Sequence, residues 1–181
     1  MSTVEEGVIR YRPVWHLNKF ADPDGKIAKM VYDGMPIEEA KQKFADEFLG
    51  GEVFAGNTAL NAGLQNIVKL ICAVSSGTAW NSANAKIGVG NSSTAASAAQ
   101  TALIGSHAYA GMDTGYPTRT SQTAKWRSTF SGTAANFAWY EFTVSTTATN
   151  TGINLNRKVS TKGTKSAGES WTLELQVTFS N

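Results

Sequence analysis

Residues 86–105, K-I-G-V-G-N-S-S-T-A-A-S-A-A-Q-T-A-L-I-G, are the first place to look for chemistry, because two glycines one residue apart resemble the turn that cradles a phosphate. A dinucleotide fingerprint needs a third glycine and a following helix to receive the pyrophosphate, but Ser93 stands where that glycine should be. No acidic residue follows at the ribose distance, and K-G-T-K-S near Lys165 has the letters of a Walker loop in the wrong order. The glycines therefore read as backbone crowding at the end of a short strand that carries Ile87 and Val89.

Hydrolytic machinery is equally thin. The two histidines, His16 and His107, belong to no metal-binding pair, and no G-x-S-x-G elbow occurs. Ser106, His107 and Asp113 supply the letters of a triad, but proximity in sequence is not the geometry a triad requires. Acid–base work needs paired carboxylates, and residues 57–181 offer Asp113, Glu141, Glu169 and Glu174, each on a different expected element. Glu141 stands out among Phe137, Trp139, Tyr140 and Phe142; it reads as a tuned acid or as one half of an ion pair with Arg127 or Arg157, the pair being favoured. A lone cysteine, Cys72, among Leu70, Ile71, Ala73 and Val74 reads as a buried structural thiol and excludes an intrachain disulfide. The expectation is no catalytic residue, no cofactor and no metal.

The elements that would have to position such residues fall into two regimes. Residues 1–56 carry seven Lys/Arg against ten Asp/Glu, and residues 57–181 carry nine against four. The basic excess of the second part is too dilute for nucleic-acid binding, and no basic run is interleaved with aromatics. No stretch reaches the roughly 18 apolar residues of a membrane span, and M-S-T-V-E-E lacks the basic start of a secretory signal, so synthesis in the cytoplasm is expected.

In the first regime, V-I-R-Y-R-P-V-W-H-L-N-K-F shows no helical period and reads as an extended arm, since Pro13 biases Arg12 toward extended geometry. A-D-P-D-G is a turn. Ile37, Ala40, Phe44 and Phe48 recur at helical spacing and predict an amphipathic helix stopped at Gly50-Gly51. A second helix is expected from Asn57, with Leu60, Leu64, Ile67 and Ile71 in one stripe packed against the body or a neighbouring subunit. Beyond residue 84 the period becomes two: A-K-W-R-S-T-F, N-F-A-W-Y-E-F-T-V, I-N-L-N-R-K-V and above all S-W-T-L-E-L-Q-V-T-F-S alternate and are separated by turn-rich pieces. The expected fold is mainly β: an antiparallel β-sandwich or partly open barrel with an N-terminal extended arm and two short helices, divided into 1–56 and 57–181. Trp126, Trp139, Tyr140 and Trp171 offer a sugar-binding platform as one reading and a sheet core as the other.

Four motifs in order, N-A-K-I-G-V-G-N-S-S-T-A-A-S-A-A-Q-T-A-L, M-D-T-G-Y-P-T-R, K-W-R-S-T-F-S-G-T-A-A-N-F-A-W-Y-E-F-T-V and L-N-R-K-V-S-T-K-G-T-K-S-A-G-E-S-W, make residues 57–181 resemble a group of small virion structural proteins of tailed bacteriophages. The resemblance implies a non-enzymatic β-rich building block of the particle, foremost a capsid decoration or cement protein. Its implied partners are the major capsid protein and copies of itself, as a homotrimer, with no nucleic acid and no membrane. A tail-tube, tail-tip or fibre-base subunit is the alternative within the virion, and a carbohydrate-binding attachment module lies outside that class. The front extension departs from the shorter members. As a charged arm without a core of its own, it is expected to cross between subunits or onto the shell through Tyr11, Val14, Trp15, Leu17 and Phe20.

Overall fold

A strand that is dry on one face and wet on the other advertises itself by alternation, whereas a strand covered on both faces does not. Both kinds occur in the computed structural model, which describes residues 9–181. The alternating C-terminal run forms β10 (Glu169–Ser180), and the arm that showed no period forms β1 (Arg10–Ala21), paired antiparallel with β10 along its whole length. β2 (Phe48–Ala55) borders β1 on its other side.

Two antiparallel five-stranded sheets pack face to face. One runs β2-β1-β10-β7-β6, with β6 at Thr118–Thr120 and β7 at Thr123–Phe130. The other runs β3-β9-β8-β4-β5, with β3 (Thr58–Ala59), β4 (Lys86–Gly90), β5 (His107–Gly111), β8 (Glu141–Ser145) and β9 (Asn156–Val159). The described residues also form three helices: α1 (Lys26–Tyr32), α2 (Ile37–Lys43) and α3 (Asn61–Ile71). The expected antiparallel β-sandwich is the observed fold, with three helices where two were expected.

Between the sheets, Trp15, Leu173, Leu175 and Trp126 from the first meet Ile87, Val89, Phe142 and Val144 from the second. Trp139 packs edge-on against both Phe130 and Trp171, with ring centroids 5.0 and 4.8 Å away. The other face of the first sheet is covered in part by α1 and α2, where Phe20, Ile27, Val31, Ala40 and Phe44 form a second cluster. Thus β1 sends Trp15 and Leu17 into the sandwich and Phe20 into the helical cap, and its alternation is masked because Pro13 and Lys19 take inward positions and Phe20 an outward one. Pro13, which cannot donate, sits where β2 has just ended, its carbonyl accepting from Gly56 N at 3.0 Å.

Several sequence-based expectations are corrected here. Residues 10–21 are not an arm that needs a neighbour to order: Trp15, Leu17 and Phe20 are fully buried within their own chain, and Tyr11 and Val14 are half-buried beside them. Residues 1–8 of that arm lie outside the described residues. The division at residue 56 does not separate two units, because β1 and β2 belong to the same sheet as β7 and β10. The helix after Pro36 ends at Lys43 rather than at Gly50, and Phe48 and both glycines pass into β2. The stretch after the A-D-P-D-G turn is the helix α1, started by Asp22, whose carboxylate accepts from Ile27 N at 2.9 Å and Ala28 N at 2.8 Å. Cys72 is exposed, just beyond the end of α3.

Truncating Trp15 to Ala should cost about 3–5 kcal/mol of stability, read from urea unfolding followed by tryptophan fluorescence. Deleting residues 1–21 should abolish cooperative unfolding altogether, whereas an arm acting only between subunits would leave it intact.

Candidate functional site

The suspected phosphate loop turns out to hold an anion of its own chain. β4 ends at Gly90, and the following Ser/Thr/Ala tract folds back over the outer face of β8, where the Glu141 side chain is fully buried. Its Oε1 accepts from Gly105 N at 2.8 Å and more loosely from Ser92 N at 3.3 Å; Oε2 accepts from Ile104 N at 3.0 Å. Arg157 Nε donates to the same Oε2 at 2.8 Å from the fully buried guanidinium on β9. The far side of that guanidinium reaches the tract again, Nη1 donating to Thr94 O at 2.9 Å and to Gln100 Oε1 at 3.1 Å. One ion pair thus fastens both ends and the middle of residues 91–105, a segment with few apolar side chains to pin it.

This arrangement explains the two glycines. A Cβ at Gly90 would sit 2.6 Å from Glu141 Oε1, and one at Gly88 would collide with the Tyr109 ring. It also resolves the question over Glu141: the partner is Arg157, and the carboxylate is saturated with donors, leaving no oxygen facing a substrate. Arg127 pairs instead with Asp113, Nε donating to Oδ2 at 2.8 Å, while its Nη2 donates to the carbonyl of Val31 in the last turn of α1 at 3.0 Å. Asp113 further accepts from Thr129 N and Thr129 Oγ1, both at 2.9 Å, so this second ion pair docks α1 onto the sheet. The triad letters are not assembled: His107 opens β5 with its Nδ1 2.7 Å from Gly105 O, and Asp113 lies past the other end of that strand.

Two concavities stand out among the described residues. A cleft of about 590 Å³ opens between α2 and the outer face of the first sheet, walled by His16, Glu52, Tyr116, Lys125, Arg127 and Glu174. The carboxylates of Glu52 and Glu174 are both engaged: Glu52 accepts from Lys19 at 3.1 Å and from Lys162 at 2.9 Å, and Glu174 from Tyr116 Oη at 3.0 Å and Gln176 Nε2 at 2.7 Å. Partial burial pushes the Glu52 carboxyl up, but the two ammonium groups outweigh it and hold the group below the usual glutamate range. The second is an apolar groove of about 360 Å³ beside α3, floored by Trp80, Trp126 and Leu155 and rimmed by Tyr11 and Phe179.

Among the described residues, no cluster of three His, Cys, Asp or Glu side chains is placed to hold a metal ion, and no helix is long and apolar enough to cross a membrane. The expected contact residues Trp15, Leu17 and Phe20 reach no surface, and Val14 is half-buried in the sheet. Tyr11 alone of the five lines a groove. The sugar platform is likewise dissolved, since Trp126, Trp139 and Trp171 are core residues. No family model, no curated protein and no solved structure matches the chain.

Replacing Glu141 with Gln should cost about 3–5 kcal/mol, because it leaves the Arg157 charge buried without its counter-charge. Amide exchange at Ser92, Ile104 and Gly105 should accelerate more than exchange in β10; uniform acceleration would show that the carboxylate does not hold the tract locally. A second test uses pH. Burial raises the phenols of Tyr11, Tyr109 and Tyr116 above their ordinary value of 10.0. The folded state then binds protons that the unfolded state releases, so stability is full below pH 10 and falls as pH rises beyond it. Unfolding midpoints measured from pH 8 to 11, with phenolate absorbance, should show that decline.

Proposed function

We propose that this chain is a non-enzymatic structural subunit of a tailed-bacteriophage particle, and specifically a capsid decoration (cement) protein that binds the assembled head. The observation that carries the reading is where the motifs of the family resemblance meet. G-V-G, N-F-A-W-x-E and L-N-R-K-V…G-T-K…W are separate stretches of the sequence, yet Gly90 packs on Glu141, and Glu141 is bonded to Arg157. Nearby, Trp139 packs on Trp171, and Lys165 Nζ donates to Ser131 O at 2.7 Å and Asn136 Oδ1 at 2.9 Å. Motifs that complete one another's buried contacts have to occur as a set, which gives these three of the four motifs a physical basis that unrelated matches would lack.

The rest of the molecule suits a building block. Its two buried ion pairs are spent on docking loops and a helix to the sheets, and β10, the longest alternating strand, is held between β1 and β7. Subunits that decorate a lattice must keep one shape through many identical contacts, and a sandwich with internally saturated charges offers that rigidity. The partners under this reading are the major capsid protein and further copies of the chain. The reading needs no cofactor, nucleic acid or membrane.

Particles disrupted so that DNA-filled heads separate from tails on a density gradient provide the test. The protein should travel with the heads and label them at lattice points in immuno-electron microscopy. Presence in the tail fraction alone would replace the head reading with a tail-tube, tail-tip or fibre-base subunit, and absence from both would end the virion reading.

A further inference from the structure

Helix α3 is amphipathic, yet it is mounted the wrong way round for a helix of a lone sandwich. Its docked side is mostly small and polar, with Ile67 its apolar contact to the core: a Cβ on Gly63 would meet Leu155 O at 2.5 Å, and Asn66 exchanges two hydrogen bonds with the backbone of Thr78, at 2.7 and 3.0 Å. Its apolar stripe points outward instead, with Leu64, Val68 and Ile71 46%, 58% and 78% exposed. An amphipathic helix ordinarily turns that stripe to the core.

Next to this ridge lies the apolar groove, where Ile67, Leu70 and Ile71 from the helix face Tyr11, Val177 and Phe179 from the sheet. We propose that this ridge and groove form the surface through which the chain binds a second copy of itself. The proposal deepens the particle-subunit reading by naming the self-contact, and it rests on that reading only for its biological setting.

Area and charge select the occupant. Leu64, Val68, Leu70, Ile71, Val74 and Phe179 together leave roughly 500–600 Å² of residue surface in water, at the upper end of the largest patch on a typical monomer. That area matches the apolar share of one partner's side in an interface burying about 800 Å² per subunit. Charge gives no handle to a foreign partner, because Lys69 is the one charged residue between Asn57 and Ala85. A patch without a sign is complementary to itself, and a ridge lying beside a groove lets each copy insert the former into the latter.

The test uses the full chain. Sedimentation velocity at about 100 µM, far above the dissociation constant of a stable interface, should give an oligomer, with dimer and trimer both in accord. Val68→Glu and, as a milder variant, Ile71→Ser should give monomers with unchanged circular dichroism. Cys72, exposed at the end of the ridge, should react with a maleimide at least tenfold faster in the variants than in the assembled wild type.

A monomeric wild type overturns the proposal, and so does an oligomer that survives both substitutions. A wild-type monomer that associates only after residues 1–8 are deleted overturns it too, by making those residues the occupant. None of these outcomes depends on whether the protein travels with heads or tails, so the self-contact and the particle reading fail separately.

Discussion

The pairing of β1 with β10 is the constraint on which the fold depends. These two strands come from opposite ends of the chain, and twelve residues of one lie against twelve of the other, from Arg10 opposite Ser180 to Ala21 opposite Glu169. Trp15 opposite Leu175 and Leu17 opposite Leu173 form the centre of the first sheet's inner face. Neither strand can bury its side chains without the other, and both are needed before β2 and β7 have a template on which to pair. Loop-closure entropy over nearly the whole chain therefore precedes the contacts that offset it, which places this topology among slow, highly cooperative folders.

The second sheet solves a different problem. Residues 91–102 are Ser, Thr, Ala, Asn and Gln with little hydrophobic area, and Leu103 is the buried apolar anchor that follows them, so burial alone cannot order the tract. Glu141 and Arg157 do so with charge, and the cost of desolvating both is offset by three loop amides, a loop carbonyl and the Gln100 side chain as well as by each other. The pattern is that of an anion-binding loop with the anion supplied from within. The same physics that would have gripped a phosphate here grips a carboxylate.

A sandwich organised in this way has spent its buried charges and most of its aromatic rings internally, and α3 is the exception. The helix's closest approaches to the body are Gly63 against the Leu155 backbone and Asn66 against Thr78, and Ile67 alone of its apolar residues packs on the core, so most of the stripe has no place inside. That exposed stripe is a consequence of the packing rather than of the helix's composition, which is typical of a helix with one buried face.

Nine-residue alternation in W-T-L-E-L-Q-V-T-F, the shorter alternations before it and the absence of catalytic spacings determined a mainly β antiparallel fold and pointed to Arg127 or Arg157 as the partner of Glu141. Those features are legible because they depend on neighbours along one strand. What only the tertiary structure decided depends on what covers each face. β1 hid its alternation because Pro13 and Lys19 share the inward side with Trp15 and Leu17, while the apolar Phe20 lies on the outward side under α1 and α2, so it read as an arm and its tryptophan as a contact residue. Leu60, read with Leu64 and Ile71 as one stripe, is buried because it precedes the helix as its extended N-cap residue, whereas Leu64 and Ile71 on the helix itself stand largely in water. The crowded glycines were visible in the sequence, but the carboxylate that crowds Gly90 lies 51 residues further on, and only folding brings it there.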